Sequence, residues 1–127
     1  MKNIDVLYVV IGALYLVLGM SLGIVMGIKG DFTLAPVHAH MDLVGFSSHC
    51  VLGLIYKTWP NLKEGALALV QFLLFVIGSP ILLIGIVVAI KSTNAVPAII
   101  GSMLLILGAL VFLVIVARGL LRNHASP

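Results

Sequence analysis

Between residues 36 and 49 the chain reads Pro36-Val37-His38-Ala39-His40-Met41-Asp42-Leu43-Val44-Gly45-Phe46-Ser47-Ser48-His49, a run of polar groups within apolar sequence. Imidazole can ligate a metal, carry a proton or bridge two helices, and polar groups placed in an apolar span are functional candidates by default. On a helix turning about 100° per residue, His38 and His40 project about 200° apart, so one helix cannot close both around a single ion. The two histidines suit two different partners. His38, Asp42, Gly45 and His49 instead follow an i, i+4, i+7, i+11 pattern and share one face, with His38 and His49 roughly 16 Å apart along the axis. Asp42 is spaced to orient His38 from one turn away, as carboxylates commonly do for a ligand histidine. The structural alternative is hydrogen bonding between helices, and for His49 it stands level with ligand binding.

The donor set narrows the ligand. A zinc site normally takes about three or four protein ligands, whereas these histidines lie on two faces of one helix. Haem needs only one or two axial ligands and is at home among apolar side chains, so iron in a haem fits better. Ala39, Gly45 and Ser48 are small enough to let a flat macrocycle approach. The single cysteine, Cys50, excludes an internal disulfide and a cysteine cage, and no Cys-x-x-Cys-His is present for covalent haem attachment.

The elements that position these groups follow from composition. Hydrophobic residues make up 62% of the 127 and charged residues 9%, with a mean hydropathy of +1.30, which points to lipid as the solvent of most of the surface. With about 20 apolar residues needed per crossing, the chain is predicted to be all-α: an integral membrane four-helix bundle forming a single transmembrane domain over 1–127. Helices are expected at about 4–29, 35–57, 64–90 and 95–121. Lys2 precedes a long apolar run, but that run exceeds a signal-peptide core and no small-x-small cleavage site follows, so it reads as a retained first helix. Gly30-Asp31-Phe32-Thr33 reads as the first loop, Pro36 suits a first helical turn, Trp59-Pro60-Asn61 ends the second helix at the interface, and Pro80 is expected to kink the third.

The net charge of +3 does not indicate nucleic acid, because the basic residues lie at or near helix ends. Lys2, Lys57, Lys63, Arg118 and Arg122 share one side, and Lys29 and Lys91 the other, which predicts cytoplasmic termini and puts the histidine pair near the outer face. Such a chain belongs in the inner membrane of a prokaryote. Gly19, Gly23 and Gly27 form small-xxx-small steps, and Gly78 with Gly85 and Gly101 with Gly108 repeat at seven, a pattern for close helix packing. Tyr8, Tyr15, Tyr56 and Trp59 read as belt or packing residues, and His124 as part of a solvated tail.

The run His38-Ala39-His40-Met41-Asp42-Leu43-Val44-Gly45-Phe46, followed by Leu54-Ile55-Tyr56 and Trp59-Pro60, resembles the His-x-His helix of the haem-copper oxidase and nitric oxide reductase superfamily and its small subunit-I-like relatives. The likeness covers about 25 residues. It implies a plan in which four helices are one third of a pseudo-threefold subunit, and hence a homotrimer. His38 of one protomer and His40 of the next would then be opposed axial ligands of a b-type haem. The chain departs from the family in having no second histidine-bearing helix, no adjacent His-His pair for copper and no tyrosine placed for cross-linking, so an oxygen-reducing binuclear centre is not expected.

The resulting expectation is a haem b-binding membrane protein that relays electrons and is not an enzyme by itself. His38 and His40 are its iron ligands, and Asp42, Gly45 and His49 line the site. Its partners are further copies of the chain, the bilayer, and a redox protein or quinone, with no nucleic acid. Two alternatives stay open: a minimal oxidase-like, nitric oxide reductase-like or gas-sensing haem protein, and a haem-free scaffold or assembly factor.

Overall fold

The first helix, α1, spans Ile4–Lys29, the predicted extent. It closes where Gly30 adopts φ 63°, a left-handed turn that glycine enters without a Cβ penalty. In the loop that follows, Asp31 Oδ1 accepts the Thr33 hydroxyl at 2.6 Å and the Thr33 backbone N–H at 3.0 Å. These bonds, the hydroxyl's first, hold the Asp31 carboxyl below the ordinary carboxylate range. Because the folded value is depressed, the contribution to stability is present above the ordinary carboxylate pKa and is lost as pH falls through the lowered value. The computed structural model from which these contacts are taken describes residues 3–124, with side chains described through residue 119.

The histidine segment is helical from residue 35 to 58 but is not one regular helix. It runs as α2 (Ala35–His40), a π-helical stretch (Met41–Ser48) and α3 (His49–Thr58). The side chains explain the wider winding. Ser47 Oγ, Ser48 Oγ and His49 Nδ1 each bond the carbonyl five residues back, on Asp42, Leu43 and Val44, at 2.8, 2.8 and 3.0 Å. Three successive polar groups thus brace the i to i+5 spacing that the backbone adopts. A regular helix over 35–57 is the expectation this corrects.

Trp59-Pro60 ends α3, and Pro60–Lys63 forms a single 3-10 turn. Helix α4 covers Ala66–Ser92 and α5 Val96–His124. The start of α4 falls two residues later than predicted, after Gly65 at φ 97°, and the helix passes through Pro80 without interruption. His124 is the last residue of α5, and its side chain, like those of Lys2 and Arg122 in the charge count, lies outside the described residues.

All elements are helical, with no strand among the described residues, and three helices, Ile4–Lys29, Ala66–Ser92 and Val96–Gly119, are long and apolar enough to cross a membrane. Large apolar side chains such as Val10, Leu14 and Val17 on α1 and Met103 and Leu113 on α5 point outward and are more than half exposed. In water so wide an apolar surface would aggregate; in lipid it is the natural exterior.

Two antiparallel hairpins make up the bundle. Helix α1 packs along the α2–π–α3 segment, and α4 packs along α5. They meet through a core that includes Tyr8, Tyr56, Phe72, Phe75, Leu105 and Ile115. Glycines control the approach of α4 to α5: a Cβ on Gly85 would strike the backbone of Ala98, and one on Gly101 the backbone of Leu82. Gly19 and Gly23 act differently. They make room for side chains of the same protein, Asp42 and His38 respectively, while Gly27 faces open space.

Candidate functional site

The seam between α1 and the histidine segment is built from matched small and polar residues. On α1 the inward stripe is Asp5, Tyr8, Gly12, Tyr15, Gly19 and Gly23, at helical three- and four-residue spacing. Opposite it lie His38, Asp42, Gly45, His49 and Gly53, with Gly45 filled by the Tyr15 ring and Gly53 by Tyr8, Val9 and the Asp5 carbonyl. The predicted shared face of His38, Asp42, Gly45 and His49 is thus turned toward α1 despite the π-helical winding.

His38 donates from Nδ1 to the Gly19 carbonyl at 2.9 Å, and its Nε2 stands 3.5 Å from Asp42 Oδ2. Orientation of His38 therefore comes from a backbone carbonyl on α1, while Asp42 approaches the other nitrogen, the one a metal would need. His40 is apart from this cluster. Its Nδ1 donates to the Pro36 carbonyl of its own helix at 2.7 Å, and its ring is partly exposed. A carbonyl can only accept, so Nδ1 of His40 donates the proton and Nε2 is left as the lone-pair nitrogen. Among the described residues no group of three or more His, Cys, Asp or Glu side chains gathers as a metal cage.

His49 lies deeper and is 0% exposed. Tyr8 and Tyr15 approach its ring from α1 at centroid distances of 5.5 and 5.6 Å, and Phe75 from α4 at 6.0 Å. No known protein family, curated protein or solved structure matches the chain. What the site can do therefore rests on its own chemistry.

One part of this site does not follow from local sequence. Gln71, also 0% exposed, accepts the hydroxyls of Tyr8 at 2.7 Å and Tyr56 at 3.1 Å on its Oε1. Tyr15 shares a 3.0 Å hydrogen bond with Ser79. Of the two expectations for Tyr8 and Tyr56, belt or packing, the second holds: both are fully buried, hydrogen-bonded members of the core. Trp59, beside the 3-10 turn, is 51% exposed. At the same end Lys63 pairs with the buried Asp5 at 3.1 Å. The polar stripe on α1 was the available signal, since residues at that spacing need polar partners when they face a bundle interior.

Because Tyr8 makes the shorter bond to Gln71, Tyr8→Phe is expected to lower stability by about 1 kcal/mol, and Tyr56→Phe by less. Unfolding of the solubilised protein by a denaturing detergent measures both. Equal or absent effects would assign the stability of this region to ring packing alone.

Proposed function

We propose that the protein is a haem b-binding membrane protein that relays electrons near the outer face of a prokaryotic inner membrane, working as a homotrimer. The observation that carries this reading is the divergence of the two histidines. His38 is turned inward to α1, and His40 is turned away with Nδ1 anchored and Nε2 free. A histidine held by a backbone carbonyl through one nitrogen is fixed in tautomer and ring orientation for ligation by the other. In this reading His40 of one protomer and His38 of the next hold one haem between them, and His38 exchanges its approach to Asp42 for the iron. The bound group would supply an iron centre that takes up and gives back one electron, and ligation from both sides favours transfer over gas chemistry. The chain's contribution is to orient the imidazoles and to keep the surroundings apolar.

The same reading has four crossings with both termini cytoplasmic. At roughly 1.5 Å per helical residue the 35–58 segment reaches across a hydrocarbon core about 30 Å thick. Five basic residues against two set the orientation. A redox protein or a quinone would exchange electrons with the haem, and nucleic acid has no part.

A second reading, a haem-free scaffold or assembly protein, is favoured by the hydrogen bonds that His38 and His49 make within their own chain. Absorption spectroscopy separates the two. Protein purified in mild detergent from haem-replete cells is expected to show a Soret band with the sharp reduced bands of a six-coordinate b-type haem. A spectrum without a Soret band would overturn the haem reading, and ready binding of carbon monoxide would favour a five-coordinate, oxidase-like or gas-sensing haem.

A further inference from the structure

Two buried polar atoms in the bundle interior, on residues that both touch Tyr8, have no hydrogen-bond partner. Gln71 Oε1 receives two hydroxyl donors, and its Nε2, a donor, is buried and unpartnered. His49 Nδ1 lies 3.0 Å from the Val44 carbonyl, which can only accept, so Nδ1 donates and Nε2 is a lone-pair acceptor, also buried and unpartnered. The first therefore lacks an acceptor and the second lacks a donor. Both belong to residues in contact with Tyr8, whose hydroxyl bonds Gln71 and whose ring packs on His49. Phe75, one turn along α4 from Gln71, also meets the His49 ring.

Buried polar groups of this kind are nearly always satisfied, and two complementary ones in one region call for a bridging molecule that both accepts and donates. Tyr8, Tyr15 and Phe75 pack on the His49 ring and Phe72 on Tyr8, so the surroundings are apolar rings and a small bridging molecule is the simplest partner. We propose that Gln71 and His49 bind water between them in the interior of the bundle. The water accepts from Gln71 Nε2–H and donates to His49 Nε2. It completes a hydrogen-bonded chain from the Tyr8 and Tyr56 hydroxyls through Gln71 to His49 and the Val44 carbonyl. Nothing in this assignment depends on haem, since His38 and His40 take no part in it.

Solid-state NMR of the full protein, ¹⁵N-labelled at histidine and reconstituted in lipid bilayers, tests the assignment. Magnetisation transfer from water to the His49 ring is expected, its signal identified by its disappearance in His49→Gln, and Gln71→Leu should abolish the transfer while leaving the signal. Transfer no faster than to the core phenylalanines, or transfer unchanged in Gln71→Leu, would overturn the proposal. A stability comparison gives an independent reading. If water links the two groups, His49→Phe with Gln71→Leu together should cost no more than the worse single change, because neither orphan remains. Additive losses would overturn the bridge. Loss of the Soret band in either variant would bear on the haem reading, not on this one.

Discussion

His40→Ala is expected to lower haem content at least about tenfold, equivalent to about 1.4 kcal/mol of binding free energy, while leaving the fold intact. The one hydrogen bond of His40 within its own chain is to the Pro36 carbonyl a turn away, and its ring is partly exposed, so removing it disturbs little packing. Surface changes of that kind fall within about 0.5 kcal/mol. Its free Nε2 is the nitrogen that needs no rearrangement to bind iron, and no other described side chain replaces it. His38→Ala should behave differently. It leaves His40 able to hold a five-coordinate haem that binds carbon monoxide, and it strands Asp42, whose Oδ1 already lacks a partner, so a loss of stability accompanies the spectral change. Equal haem content in wild type and His40→Ala would remove His40 from the site.

The largest effect on the fold is expected at Gly85. A Cβ there would collide with the Ala98 backbone nitrogen and Cα and the Pro97 carbonyl carbon, atoms that cannot swing aside as a side chain can. Gly85→Leu must therefore push α4 and α5 apart along the bundle's longest helix pair. The cost should reach about 3 kcal/mol or more, the upper range for overpacking. Gly101→Leu, against the Leu82 backbone, should act alike. Gly27→Leu is the control: its added Cβ meets nothing within 4 Å, and a leucine is a better helix former than glycine by up to about 1 kcal/mol. Detergent-induced unfolding and the yield of monodisperse protein would report both. Similar behaviour of all three variants would show that the α4–α5 approach is not held by glycine.

Much of this architecture was legible beforehand, for definable reasons. The limits of α1 follow from an apolar run closed by Gly30, and the end of the histidine segment from Trp59-Pro60, because a bilayer imposes length and proline imposes a stop. That His38, Asp42, Gly45 and His49 share one face followed from their spacing; that this face turns toward α1, rather than His38 pointing outward to a neighbouring copy, did not. The π-helical winding did not, since it depends on Ser47, Ser48 and His49 each reaching back five residues, a choice that competes closely with ordinary helix bonding. Nor did the pairing of Tyr8 and Tyr56 with Gln71, which joins residues 63 and 15 positions apart. Spacing also placed Asp42 beside His38 without telling which imidazole nitrogen it would approach. That detail depends on the Gly19 carbonyl of another helix.

The central claim is that haem joins neighbouring copies of the chain through His38 and His40. Native mass spectrometry of the intact complex, combined with haem quantification on the same sample, tests it most directly. A trimer carrying one haem per chain is the predicted result. A complex of any size without haem, or a monomer that retains haem, would contradict it.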